Sequence, residues 1–142
     1  MKTITSIKGI ISACVLSSVL LTACSKGSDD PTPTAAVQPT LTTSSATSIT
    51  STTAILGGNV TSLGNQTITD RGAVYAKNSN PTIGDNFVSA SGGSGLGAYI
   101  TNMNSYPMMP NTLYHVRAVI VTSGSSGPAY TYGNDLTFTT LP

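Results

Sequence analysis

Seven ionisable side chains hold whatever acid, base or metal chemistry the stretch from Pro39 to Pro142 can offer: Asp70, Arg71, Lys77, Asp85, His115, Arg117 and Asp135. Acid–base work needs two groups within hydrogen-bonding reach, and a calcium cage needs several converging oxygens. The three aspartates stand in different segments, so only a fold that gathers them builds either; turn and edge positions account for them otherwise. Gly84-Asp85-Asn86 is the stretch best supplied with oxygens for calcium. His115 is the sole histidine, and alternation places it outward beside Arg117, where a solvated or cross-strand role fits it. The glycine cluster Ser91-Gly92-Gly93-Ser94-Gly95-Leu96-Gly97 has no lysine and opens no helix, which makes it a flexible loop rather than a phosphate cradle. No catalytic group, metal site or cofactor is expected. Tyrosines remain: of Tyr75, Tyr99, Tyr106, Tyr130 and Tyr132, the candidates for a binding surface are Tyr75, Tyr106 and Tyr130, set against ordinary half-buried packing.

The elements that would position these residues are strands. The chain is rich in Thr, Ser, Gly and Asn, contains no Glu or Trp, and has no window with a helical period. In Thr112 to Thr122, Tyr114, Val116, Ala118 and Ile120 share one face and should line the core, with His115 and Arg117 opposite. Ala54, Leu56, Gly58 and Val60 form the inward set of Thr53 to Val60, leaving Ile55 outside. From Ile68 to Lys77, the set Ile68, Gly72, Val74 and Ala76 reads as inward and Thr69, Arg71, Tyr75 and Lys77 as wet, ended by the turn Asn78-Ser79-Asn80-Pro81. Shorter candidates run from Leu41 to Ser44, Phe87 to Ala90 and Ala98 to Met103. A last strand from Tyr130 to Thr139 buries Leu136 and Phe138. Short strands, Gly-rich turns and about a hundred residues predict a single antiparallel sandwich.

Ahead of that domain the chain changes character. Lys2 and Lys8 precede an apolar run from Ile10 to Leu21, which has the form of an export signal and is too short to span a bilayer. Leu21-Thr22-Ala23-Cys24 closes the run and resembles the lipobox of a bacterial lipoprotein. The resemblance implies cleavage of residues 1–23 and acylation of Cys24, giving a firm anchor to the membrane through its acyl chains. The rival reading is an ordinary cysteine behind an uncleaved anchor or a conventional secretory peptide. Cys14 is discarded with the signal, so no thiol remains for a disulfide, a metal or catalysis. Residues 24–38, small, polar and proline-punctuated, read as a flexible tether. Ser25 to Asp30 is similar to the acidic export signal of Bacteroidetes surface lipoproteins, the alternative being a plain solvated linker.

Pro110-Asn111-Thr112-Leu113-Tyr114-His115-Val116-Arg117-Ala118 carries a further likeness. Together with Thr52-Thr53-Ala54, Gly58-Asn59-Val60, Arg71-Gly72-Ala73-Val74-Tyr75, Asn80-Pro81-Thr82 and Tyr132 to Thr140, it resembles the fibronectin type III-like domains common in Bacteroidetes surface proteins, over residues 39–142. The resemblance implies an all-β, seven-stranded, immunoglobulin-like antiparallel β-sandwich with Tyr114 as its tyrosine-corner residue. Tyr75 stands where members often carry Trp, and Met108 where they carry Leu. The approach Ser105 to Pro110 holds extra residues, and the adhesion tripeptide Arg-Gly-Asp is absent. With net charge near zero, nucleic acid is not an expected partner. The reading is a non-catalytic, lipid-anchored module of the outer membrane, on the cell surface or the periplasmic face, contacting an unidentified protein or glycan. A purely structural spacer and a hydrolase built on His115 and an aspartate are the alternatives.

Overall fold

Alternation of period two becomes eight antiparallel strands in a computed structural model that describes residues 34–142 apart from 92, 104–107 and 125–126. Cys24, the signal segment and most of the tether lie outside the described residues, as does Tyr106. The strands are β1 (Thr40–Thr43), β2 (Ile55–Ser62), β3 (Ile68–Ala76), β4 (Asn86–Ser89), β5 (Gly97–Asn102), β6 (Leu113–Gly124), β7 (Gly127–Tyr132) and β8 (Leu136–Thr139). A three-stranded sheet in the order β1-β2-β5 faces a five-stranded one in the order β4-β3-β6-β7, with β8 also paired to β6. The expected all-β antiparallel sandwich is therefore what the chain forms, with eight strands rather than seven.

The extra strand has a local cause, because the single last strand expected from Tyr130 to Thr139 is cut in two at Gly133-Asn134-Asp135. Gly133 lies so close to β1 that a Cβ there would stand 2.5 Å from Thr43 Oγ1 and 2.8 Å from its nitrogen. The Thr43 hydroxyl takes the Ala118 N–H at 3.0 Å and donates to the Asn134 carbonyl, while Thr43 N–H donates to Asn134 Oδ1 at 3.0 Å. A side chain from the opposite sheet thus takes over a ladder position between β7 and β8.

The core confirms most inward assignments. Leu56, Val60, Val116, Ala118 and Ile120 are buried, and Ala54 and Tyr114 join them. Strand β3 departs from its expected alternation. Ile68 pairs with Thr122 but Asp70 with Val121, so Thr69 is the extra residue of a bulge, its hydroxyl donating to the Val121 carbonyl at 3.2 Å. One inserted residue exchanges the two faces of everything after it. Arg71, Ala73 and Tyr75 consequently point inward, opposite Ile120, Ala118 and Val116. Val74 takes the outer face and is nonetheless fully buried.

Contacts with the sandwich begin before Pro39. In the turn after β2, Asn65 accepts the Val37 N–H at 2.7 Å through Oδ1, donates to the Ala35 carbonyl at 2.9 Å through Nδ2, and donates its own N–H to the Val37 carbonyl at 3.2 Å. Gly64 makes room for this contact at φ +60, since any Cβ there would strike the Val37 carbonyl oxygen.

Between the sheets, Gly58 of β2 meets Ala118 of β6. A Cβ on Gly58 would sit 2.5 Å from the Ala118 Cβ and 2.8 Å from the Thr42 carbonyl oxygen. Gly58→Ala is expected to lower stability in urea denaturation by about 1–3 kcal/mol, the range for overpacking a filled core. An unchanged midpoint would show that the sheets can separate there freely.

Candidate functional site

On the outer face of the five-stranded sheet the register brings together Phe87 from β4, Val74 from β3, Arg117, Val119 and Val121 from β6, and Tyr130 and Tyr132 from β7. The Arg117 guanidinium lies 4.7 Å from the centroid of the Tyr132 ring, and its Nε donates to the Gly133 carbonyl at 2.9 Å. The Tyr132 hydroxyl accepts the Ile83 N–H at 3.0 Å. One side of that ring is therefore taken by a cation, and its hydroxyl holds the connection between β3 and β4. Tyr130, opposite Val121, is the open aromatic of the face at 39 % exposed. Phe87 is half-buried, its ring lying over Gly72, where a Cβ would come within 2.7 Å of it.

His115 and Asp135 meet at the end of this face nearer the β3–β4 connection. His115 Nδ1 is 2.9 Å from Asp135 Oδ2, which also accepts the Asn80 N–H at 3.0 Å. Of the two roles expected for His115, solvated or cross-strand, the structure gives a half-buried contact across to the break between β7 and β8. This is the convergence that a hydrolase reading requires, but the pair sits on an open sheet face with no pocket around it among the described residues. Its visible work is to clamp the β3–β4 connection to β6: Asn80 and Ile83 are both tied down, with Pro81 fully buried between them.

The other aspartates are occupied locally. Asp70 Oδ1 accepts the Arg71 N–H and the Ser89 hydroxyl, each at 2.7 Å. Asp85 Oδ2 accepts the Thr82 N–H at 2.8 Å and its hydroxyl at 3.2 Å. Each closes a turn or strand edge, and no group of three metal-ligating residues gathers among the described residues.

The tyrosine candidates divide. Tyr75 is corrected from a surface residue to a core residue: it is 4 % exposed and packs edge-on against Tyr114 with ring centroids 5.8 Å apart, because the bulge at Thr69 turned it inward. Tyr114 stacks on Phe138 at 5.9 Å, and its hydroxyl accepts the Met109 N–H at 3.0 Å, five residues upstream. Tyr130 is exposed on the outer face, and Tyr106 lies outside the described residues.

Tyr99 carries a role that sequence reasoning did not assign. It points inward from β5, and its hydroxyl crosses the sandwich to donate to the Gly72 carbonyl at 2.9 Å, with the Val119 carbonyl at 3.3 Å. Gly58, directly opposite it in the register, leaves room for that hydroxyl. The Arg71 guanidinium lies 4.9 Å from the Tyr99 ring centroid, and Arg71 Nη1 donates to the Gly95 carbonyl at 3.0 Å. The glycine-rich loop is thereby held against an arginine that alternation had placed in solvent. Burial pushes the Tyr99 hydroxyl up to about 12, with the charge of Arg71 acting in the opposite direction.

No family model matches the chain, and no curated protein matches it. Solved structures that resemble it include the sensor domain of the anti-sigma factor RsgI4 of Pseudobacteroides cellulosolvens, 19% identical, covering 74% of this chain and 96% of that one with a TM-score of 0.47. Another is the fibronectin type III domain of human fibronectin type III domain containing protein 3, 18% identical, covering 78% of this chain and 94% of that one with a TM-score of 0.45. At these identities the likeness concerns fold alone.

Folded Tyr99 keeps its proton to about pH 12, whereas an unfolded tyrosine releases it near 10.0, so the unfolded state binds fewer protons in between and stability falls as pH rises through that window. Tyr99→Phe is expected to lose about 1 kcal/mol at neutral pH through the missing hydrogen bond. It should also be spared a part, on the order of 2 kcal/mol, of the wild-type decline between pH 10 and 12. Urea titrations of both proteins across that range check the prediction; parallel declines would contradict it.

Proposed function

We propose that the chain is a non-catalytic module fastened to the bacterial envelope by acylated Cys24, presenting the outer face of its five-stranded sheet to a protein or glycan. The observation that carries the contact role is that face, where Tyr130 stands exposed opposite Val121 and a half-buried Phe87 lies on the same side of the sheet. Aromatic rings supply contact area at low entropic cost and are enriched where partners bind. The polar groups that would otherwise suggest chemistry are engaged in holding loops, which supports a non-catalytic reading. The opposite face of the sandwich favours the spacer alternative: the Thr40 and Thr61 hydroxyls bond to each other there at 2.7 Å, beside a largely small and polar surface with Ile100 as its exposed aliphatic.

The anchor is tested by Cys24→Ala, which is expected to move the protein from the detergent phase to the aqueous phase in Triton X-114 partition. Retention with the detergent would remove the anchoring reading. Protease shaving of intact cells distinguishes surface display, which releases domain peptides, from the periplasmic face, which protects them.

The contact role is tested with a photo-crosslinking residue placed at Tyr130 or at Ile100 in intact cells. Adducts specific to position 130 are expected. Equal labelling at both positions, or none at either, would favour the spacer.

A further inference from the structure

At the base of the sandwich, the ammonium nitrogen of Lys77, the residue after β3, lies 3.0 Å from the sulfur of Met109. Both side chains are exposed, Met109 at 58 %. The methionine backbone is fixed on both sides: its N–H donates to the Tyr114 hydroxyl at 3.0 Å, and its carbonyl accepts the Thr140 hydroxyl at 2.6 Å. Lys77 directly follows β3, which is paired to β6 up to Ala76. The other described methionines, Met103 and Met108, are buried, at 1 % and 4 % exposed, so an oxidant in solution meets Met109 first.

Thioethers are oxidised by two electrons, and the activated sulfur is normally trapped by water to give the sulfoxide. Here the nearest nucleophile on the protein is an amine at contact distance, and a group held in place competes with solvent at high effective concentration. We propose that Lys77 and Met109 form a site of covalent modification, in which a hypohalous acid converts the pair into a sulfilimine cross-link. Hypobromous acid transfers its bromine to sulfur, giving a bromosulfonium ion and hydroxide. The Lys77 amine, having released its ammonium proton to solvent, attacks sulfur with its lone pair and displaces bromide. Loss of the two remaining N–H protons leaves an S=N bond. For the free amine the balance is thioether plus amine plus hypobromous acid giving sulfilimine, hydrogen bromide and water. Sulfur is oxidised by two electrons, and bromine is reduced from the +1 to the −1 state. The product joins the end of β3 to the segment that leads into β6, closing covalently a contact now made by one weak hydrogen bond.

The test treats the purified full chain with one equivalent of hypobromous acid and digests it with trypsin. Cleavage after Arg71, Lys77 and Arg117 ordinarily separates Gly72–Lys77 from Asn78–Arg117. The cross-link consumes the lysine that trypsin needs, so the expected product is the uncut peptide Gly72–Arg117, lighter than its unmodified counterpart by two hydrogens. Lys77→Gln should leave only Met109 sulfoxide, one oxygen heavier, and Met109→Leu should restore cleavage after Lys77. Wild-type peptides cut at Lys77 that carry Met109 either as sulfoxide or unreacted would overturn the proposal.

Discussion

The close approach of the two sheets at Gly58 and Ala118 is the constraint on which the remaining packing depends. A single missing side chain lets the Tyr99 ring lie between the layers and its hydroxyl reach a carbonyl of the facing sheet. Without the Gly72 and Val119 carbonyls the hydroxyl would be buried unsatisfied, at about 1–3 kcal/mol. The same ring supports the Arg71 guanidinium, which in turn holds Gly95. Close approach, buried hydroxyl, stacked cation and fastened loop thus form a chain of dependence beginning at one glycine. A second strap, Thr43 reaching to Ala118 and Asn134, closes the layers near the break between β7 and β8.

Much of this was legible in residue order. Period-two runs located β1 to β6 to within a few residues and read β7 and β8 as one strand, and the inward sets of β2 and β6 were correct because neither strand contains an irregularity within those sets. What was hidden lies where one sheet acts on the other. The bulge at Thr69 leaves no mark in the sequence, since Thr suits a regular strand equally well, and the orientations beyond it within β3 were inverted, Tyr75 and Arg71 included, while Lys77 past the strand's end is exposed as expected. The break at Gly133 depends on Thr43, ninety residues away in sequence, and local reading saw one continuous strand. Gly58 and Tyr99 were each visible, but their complementarity exists only once β2 and β5 are paired.

The candidate site was legible only in part. Scarcity of ionisable groups directed attention from chemistry to contact surfaces, and Tyr130 was named from its residue type alone. Which aspartate would meet His115 was not legible, because a turn residue and a strand residue are brought together by the interruption that splits the last strand. Its geometry resembles half of a catalytic arrangement, while its bonding is that of a clamp. A carboxylate that accepts a backbone N–H and faces an imidazole is a common way to hold a loop over a sheet, and the loop it holds brings Ile83 to the Tyr132 hydroxyl.

The grip of Asn65 on Ala35 and Val37 has a mechanical side. Tension applied to the amino-terminal end of the chain reaches the Asn65 side-chain amide and the Asn65 backbone N–H before it loads the first strand. The Ala35 bond is loaded before the two at Val37, and all three lie ahead of β1, so a pull meets them before it meets the ladder of the sheet. Gly64 makes the catch possible by clearing its path, so a substitution at this turn would change how the domain bears a pull without touching its core.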